Sequence, residues 1–265
     1  MIILKTEKEI EIMRQGGRRL AGILQRLGKE VRPGVTTREL ERLACELIAR
    51  AGGRPSFKGY QSKYDKKPYP TALCISVNDE VVHAPALPSR ILRAGDIVGI
   101  DVGFLYPASS AGRPYKDGYY TDMAATFAVG KVSREAKKLL EVTKKCLKLA
   151  IKTIRPGSTI NDIGSAVEDY VLANGFSVVR DLVGHGVGTA VHEEPNIPNF
   201  AIDERSDITL KPGMVLAIEP MINAGSYEVF TAADGMTIKT TDGSLSAHFE
   251  HTVAVTKRGH KILTN

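Results

Sequence analysis

Two distant stretches of this chain carry the same helix-opening pattern. Arg32-Pro33-Gly34-Val35-Thr36 leads into a run with Leu40, Leu43 and Leu47 on one helical face, and Arg155-Pro156-Gly157-Ser158-Thr159 leads into another. Thr159 matches Thr36, Ile163 matches Leu40, Val171 matches Ile48 and Gly175 matches Gly52, all at one constant offset. A long amphipathic segment precedes each run. The first such segment has the capping-box pair Thr6 and Glu9. It continues through Ile10, Met13, Gly17, Leu20, Leu24 and Leu27 in steps of three and four, with Gly28 as its expected stop. Thr36, with Glu39 three residues on, marks the start of the second helix in the same way.

The strand-like segments repeat as well. Ala94 to Asp101 aligns with Pro212 to Glu219, each ending on a carboxylate, and Thr121-Asp122 before an apolar alternating run aligns with Phe249-Glu250 before another. Repeats of this length are too long for a solenoid unit. They predict one α/β (α+β) catalytic domain over residues 1–265, made of two halves related by a pseudo-twofold axis, approximately 1–130 and 131–265. Halves that face each other leave a site between them, where acidic strand ends from both sides meet.

The chemistry of those acidic positions follows from their surroundings. Asp101 and Glu219 interrupt apolar runs, where an isolated carboxylate costs several kcal/mol to desolvate unless it is paired, protonated or bound to a cation. One such residue is explained by a turn; Asp101, Asp122, Glu219 and Glu250 at repeat-related places point to a metal cluster. His185, flanked by glycines in Gly184-His185-Gly186-Val187-Gly188, joins them as a candidate ligand. Oxygen donors plus one imidazole suit Mn, Fe, Co or Zn, and two divalent ions balance four carboxylates. Two close ions activate a shared water and polarise an amide carbonyl, the chemistry of peptide hydrolysis. His192, in His192-Glu193-Glu194-Pro195, and His83, in Val81-Val82-His83-Ala84-Pro85, are candidates for oxyanion stabilisation and proton handling.

Composition narrows the classes. The longest apolar runs, such as Met214 to Ile218, are strand-sized, so no membrane span is expected. The first residues lack the pattern of a secretory signal, and a cytoplasmic location is expected. Cys45, Cys74 and Cys146 fit neither a disulfide framework nor a Cys-x-x-Cys site and are read as reduced thiols. The net charge of +6 is compatible with contact to a ribosomal surface, and equally with an ordinary solvated basic surface; no specific nucleic-acid binding is expected.

In order along the chain, Val81-Val82-His83, Asp96 to Asp101, Tyr120-Thr121-Asp122, Gly184 to Gly188, His192 to Pro195, Ile218 to Met221 and Ser246 to Thr252 resemble the motifs of the methionine aminopeptidases of the short bacterial type. The resemblance runs over nearly the whole chain. It implies the pita-bread fold, an antiparallel sheet covered by helices in two halves, and removal of the initiator methionine from nascent polypeptides with a small second residue. It also implies two divalent ions (Co, Mn, Fe or Zn) held by Asp101, Asp122, His185, Glu219 and Glu250. By the same resemblance Asp122 and Glu250 bridge the ions, Asp101 binds one, and His185 and Glu219 bind the other. Glu219 is also the general base, His83 bonds the substrate near the scissile amide, and His192 stabilises the tetrahedral intermediate.

The implied methionine pocket departs from the family pattern. Tyr60, Tyr69 and Cys74 stand at pocket positions, but Phe57 replaces a common Cys, Val191 a common Phe, and Met236 a common Trp. Two insertions, Gln61 to Pro68 and Leu105 to Tyr115, lengthen the loop before Tyr69 and the segment joining Asp101 to Asp122. Prolidases and aminopeptidase P share the implied fold, but they carry a large domain before the first site histidine; only a helix pair and a loop precede His83. The long type of methionine aminopeptidase inserts a helical subdomain between the segments matching His185 and Glu219, and the stretch here is too short for it. Non-catalytic pita-bread proteins that bind nucleic acid or histones lose metal ligands, whereas all five are present here. A monomer is the family-like expectation.

Overall fold

Among the described residues, four helices and fifteen strands alternate in blocks along the chain. Helices α1 (Glu7–Glu30) and α2 (Thr37–Arg50) are followed by β1 (Arg54–Pro55), β2 (Leu73–Val77), β3 (Glu80–Val82), β4 (Ile97–Tyr106) and β5 (Tyr119–Ala128). Helices α3 (Arg134–Thr153) and α4 (Ile160–Ala173) come next. Then follow β6 (Ser177–Val178), β7 (Gly184–Gly186), β8 (Glu193–Ile197), β9 (Val215–Ile218) and β10 (Met221–Asn223). The chain ends with β11 (Val229–Thr231), β12 (Ile238–Thr240), β13 (Ser246–His248), β14 (His251–Thr256) and β15 (Gly259–Ile262). This computed structural model describes residues 1–62, 66–108, 118–203 and 207–265.

The helices start where the sequence patterns place them. Thr6, Thr36 and Thr159 each accept an N–H from the third residue on, and the carboxylates of Glu9, Glu39 and Asp162 reach back to the cap N–H groups at 2.7–2.8 Å. These reciprocal bonds satisfy donors that a helix start otherwise leaves open. The end of α1 differs from expectation, because the helix continues past Gly28 to Glu30. Gly28 serves packing instead: a Cβ there would lie 2.3 Å from the Phe127 ring, so only glycine lets α1 rest on β5.

All strand pairings are antiparallel. Strand β4 pairs with β5 along its whole length and with β2 and β1 successively. A five-stranded sheet runs in the order β15-β14-β9-β7-β8, and two three-stranded sheets have the orders β13-β10-β6 and β11-β12-β3. One apolar core lies under α1 and α2, built on Leu20, Leu40, Ile100 and Phe104. Another lies under α3 and α4, with Leu139, Ile163, Leu216 and Val253. Among the described residues no helix is long and apolar enough to cross a membrane.

Hydroxyls stitch β5 to the corner between β13 and β14. Thr252 Oγ1 accepts from the Asp122 N–H at 2.9 Å and donates to the Asp122 carbonyl at 2.8 Å. Thr126 Oγ1 does the same for the N–H and carbonyl of His248, at 2.9 and 2.8 Å. Between them the Glu250 N–H donates to the Ala124 carbonyl at 2.9 Å. Buried backbone groups need partners, and here a pair of threonines supplies them where no continuous ladder exists. The seam holds Asp122 and Glu250 face to face.

Candidate metal centre

The four acidic residues reach one place from four backbones. Asp101 was expected at a strand end, but β4 runs on through it to Tyr106, because β5 pairs with it over that full length. Asp101 sits opposite Ala124 on one neighbour and Cys74 on the other. Asp122 lies inside β5, Glu219 one residue past β9, and Glu250 between β13 and β14. His185 is the middle residue of β7. A Cβ at Gly184 would lie 2.4 Å from the Ala217 carbonyl oxygen, and one at Gly186 2.3 Å from that of Glu194, so the flanking glycines let β8 and β9 close on the histidine.

Asp122, His185 and Glu250 each offer one ligand atom, and these atoms all lie within 4.8 Å of one another. His185 Nε2 is 3.3 Å from Glu219 Oε1. Asp101 and Asp122 are close enough to share a side-chain hydrogen bond. Burial, then repulsion from neighbouring carboxylates, pushes Asp101, Glu219 and Glu250 well above the usual carboxylate range. Burial also raises Asp122, to about 7, against a hydrogen bond from Asp101 and the Met123 N–H. Such crowding of buried acids is unfavourable for the ionised forms unless cations compensate.

The donors fit a divalent cation. Among the described residues Asp101 Oδ1, Glu219 Oε1 and Glu250 Oε1 are buried without a hydrogen-bond partner, an arrangement that leaves lone pairs free for a cation. His185 Nδ1 bonds the Gly186 carbonyl at 2.9 Å, so its proton belongs there and Nε2 presents a lone pair. Burial, with His192 beside it, holds the ring neutral, its pKa lowered to about 3. A neutral imidazole among hard oxygen donors is a ligand set for Mn, Fe, Co or Zn.

A cavity of about 940 Å³ opens above this cluster. Asp101, Asp122, His185, Glu219 and Glu250 form its floor, and His83 and His192 its sides. His83 follows β3 with a positive φ of 60°, a conformation uncommon outside glycine that turns the ring toward the cavity. His192 Nδ1 is 2.9 Å from the Tyr60 hydroxyl, and its ring meets that of His185 edge-on at 4.5 Å. Phe57, Tyr60, Tyr69, Cys74 and Met236 complete an apolar wall, with Phe57 and Tyr69 packed edge to face. Val191 is placed differently from expectation: it is not among the lining residues but is buried behind them, in the cluster of Phe57, Cys74, Val187 and Val215. Of the two insertions, residues 63–65 of the first and 109–115 of the second lie outside the described residues. The three cysteines are free thiols.

Sequence reasoning missed two contributors. His248 is buried, its Nε2 has no hydrogen-bond partner, and it lies 3.7 Å from Glu219 Oε2. Burial keeps it neutral, with its pKa lowered to about 3. Lys5 forms a buried ion pair with Glu193, whose carboxylate also takes the Thr189 N–H at 2.5 Å and the Ala190 N–H at 3.0 Å. That pair anchors the loop carrying His192 to the N-terminal segment. The Lys5 and His248 positions sit within motifs quoted above or beside them, but a lone lysine or histidine has no spacing that marks such a role.

The metallopeptidase family M24 matches residues 11–257. The methionine aminopeptidase of Clostridium perfringens is 47% identical over 265 residues, 100% of this chain and 99% of that protein. The chain belongs to the methionine aminopeptidases of family M24. Methionine aminopeptidase 1 of Bacillus subtilis is 45% identical, again over 100% of this chain and 99% of the relative. The solved methionine aminopeptidase of Thermotoga maritima superposes with a TM-score of 0.91 at 41% identity, each chain covered in full. The fold is therefore the pita-bread fold. A prolidase of Pyrococcus horikoshii shares it, with a TM-score of 0.74 at 24% identity, but this chain covers only 64% of that one. Membership makes the protein a metallopeptidase, a hydrolase that uses divalent metal.

Proposed function

We propose that this enzyme removes the initiator methionine from nascent polypeptides whose second residue is small, using two divalent ions. The observation that carries this reading is the set of partnerless buried carboxylate oxygens, from Asp101, Glu219 and Glu250, at the floor of an apolar cavity. Asp122 and Glu250 would serve as ligands to both ions, Asp101 to one, and His185 and Glu219 to the other. The chain acts as a single catalytic domain of residues 1–265, with halves of approximately 1–130 and 131–265. It works in the cytoplasm as a monomer, on chains emerging from the ribosome.

When bound, the ions supply a nucleophilic water at neutral pH and polarise the scissile carbonyl. Glu219 would take the proton of the attacking water as general base. A Tyr60 hydroxyl donating to Nδ1 would leave the His192 proton on Nε2, placed to donate to the oxygen on which charge develops. His83 bonds the substrate beside the scissile amide. Phe57, Tyr60, Tyr69, Cys74 and Met236 surround the methionine side chain, whose thioether makes favourable contacts with polarizable and aromatic surfaces. Val191 supports that wall from behind.

Kinetics on Met-Gly, Met-Ala, Met-Leu and Met-Lys peptides with added Mn, Fe or Co test the reading. Turnover of Met-Gly and Met-Ala well above the other two is expected. Equal turnover of all four, or faster cleavage of an Xaa-Pro peptide than of Met-Ala, would move the assignment to a broader aminopeptidase or to the prolidase branch.

A further inference from the structure

The cavity is large for a methionine side chain alone. At about 940 Å³ it is near the upper end of the range for sites that hold a drug-sized ligand, room for more of a bound peptide than its first side chain. The cavity mouth has two lips. One is the connection after Tyr60, which contributes Lys66 and Lys67; the other is the link between β11 and β12, which contributes Asp234 and Met236. Both lysines are exposed, and among the described residues neither has a carboxylate within ion-pair distance.

Asp234, one carboxylate against two ammonium groups, only partly offsets them, although it feels the charge of Lys67. Its carboxylate is occupied in building its own turn, accepting the N–H groups of Met236 and Thr237 at 2.9 Å and the Thr237 hydroxyl at 2.5 Å. The carboxylates at the floor are balanced by the two divalent ions assigned above. Among the described residues of the two lips, Lys66 and Lys67 outnumber the one carboxylate, Asp234, so the charge they present to the outgoing part of a substrate is positive.

We infer that Lys66 and Lys67 make the enzyme selective for polypeptides with acidic side chains at the third and fourth positions. The inference rests on the aminopeptidase reading and deepens it, adding a charge preference to the small second residue. Exposed pairs contribute modestly, so the expected preference in kcat/KM is about three- to tenfold for a peptide with two glutamates over one with two lysines at those positions. The neutral peptide lies between them. Because the ammonium groups are solvated, the preference collapses toward unity in about 1 M salt, where charges are screened within about 3 Å.

The test compares Met-Ala-Glu-Glu-Ala, Met-Ala-Gln-Gln-Ala and Met-Ala-Lys-Lys-Ala on the metal-loaded full-length enzyme, at low and high salt, and again with the K66E/K67E variant. The expected result is the order Glu, Gln, Lys for the native enzyme, a compressed order in high salt, and a reversed order in the variant. Equal kcat/KM for the three peptides, or a preference that K66E/K67E leaves in place, overturns the inference while leaving the aminopeptidase reading intact. If the double variant does not fold, the salt dependence of the native enzyme and the single K66Q and K67Q variants decide in the same way. No cleavage of the Gln-Gln peptide by the native enzyme removes the aminopeptidase reading, and this inference with it.

Discussion

At the floor of the cavity every ionisable side chain projects from a strand or from the residue beside one, whereas at its mouth Lys66, Lys67 and Asp234 stand on connections. The floor is held by backbone pairing that cannot shift by one residue without turning its side chains to the other face. Asp101 is fixed between Cys74 and Ala124, and Asp122 and Glu250 are locked by the Thr252 hydroxyl and the Ala124 carbonyl. Lys66, Lys67 and Asp234 lie outside any strand, on connections of the kind that vary most freely among proteins. The proposed chemistry thus lies where the fold is over-determined, and the proposed charge preference where it is not.

Substitutions that break the floor have the largest effects. Glu219→Gln keeps the shape of the side chain but removes its basicity, and a fall in kcat of about 10²–10⁴-fold is expected. An activity within a fewfold of the native enzyme, with metal still bound, would exclude the general-base role. His192→Ala lowers kcat by about 10²–10³-fold with a smaller change in KM; a pure KM effect would reassign His192 to binding.

Next comes the buried pair that ties the His192 loop to the N-terminal segment. Lys5→Met leaves Glu193 uncompensated and destabilises the fold by about 3–5 kcal/mol, measured by denaturant unfolding. Burial alone would raise the Glu193 carboxyl, but bonds from Lys5 and Thr189 outweigh it and hold its pKa below the usual 4.5. A depressed pKa contributes stability that is present above pH 4.5 and lost as pH falls through the lower folded value. The acid limb of the native stability curve is therefore steeper than that of Lys5→Met. Parallel curves would show that the pair does not couple to Glu193 ionisation.

His248 sharpens the comparison from just beneath the floor. Groups that orient a metal ligand typically carry about 10–100-fold in metal affinity, so His248→Leu weakens metal binding by that amount, while His248→Gln, which keeps a polar side chain, restores most of it. Equal affinity in both variants would leave His248 a packing residue. The smallest effect belongs to the apolar wall: Met236→Ala narrows the preference for methionine over leucine substrates by about 1–3 kcal/mol at most, read as the ratio of kcat/KM values.

Legibility from sequence follows the same division. The floor is readable because buried carboxylates in apolar strands are costly and because the chain repeats them; the capping threonines are readable because their chemistry is local. Asp101 was expected to end its strand, since an acid usually marks a boundary, but pairing with β5 carries β4 through it to Tyr106. Gly28 was expected to end α1, but contact with Phe127 gives it another use. Val191 stands at a position that resemblance assigns to the pocket, and tertiary packing puts it one layer behind. His248 and Lys5 act through partners distant in sequence, which no local pattern encodes.

Metal titration of the metal-free protein by calorimetry tests most directly whether the floor holds two ions with Asp122 and Glu250 as shared ligands. With Mn²⁺ the native chain is predicted to bind two ions per molecule, and Glu250→Gln or Asp122→Asn to lose one of them or to bind both more weakly, in step with activity. A single ion per native chain, or stoichiometry and affinity unchanged in both variants, would contradict the account.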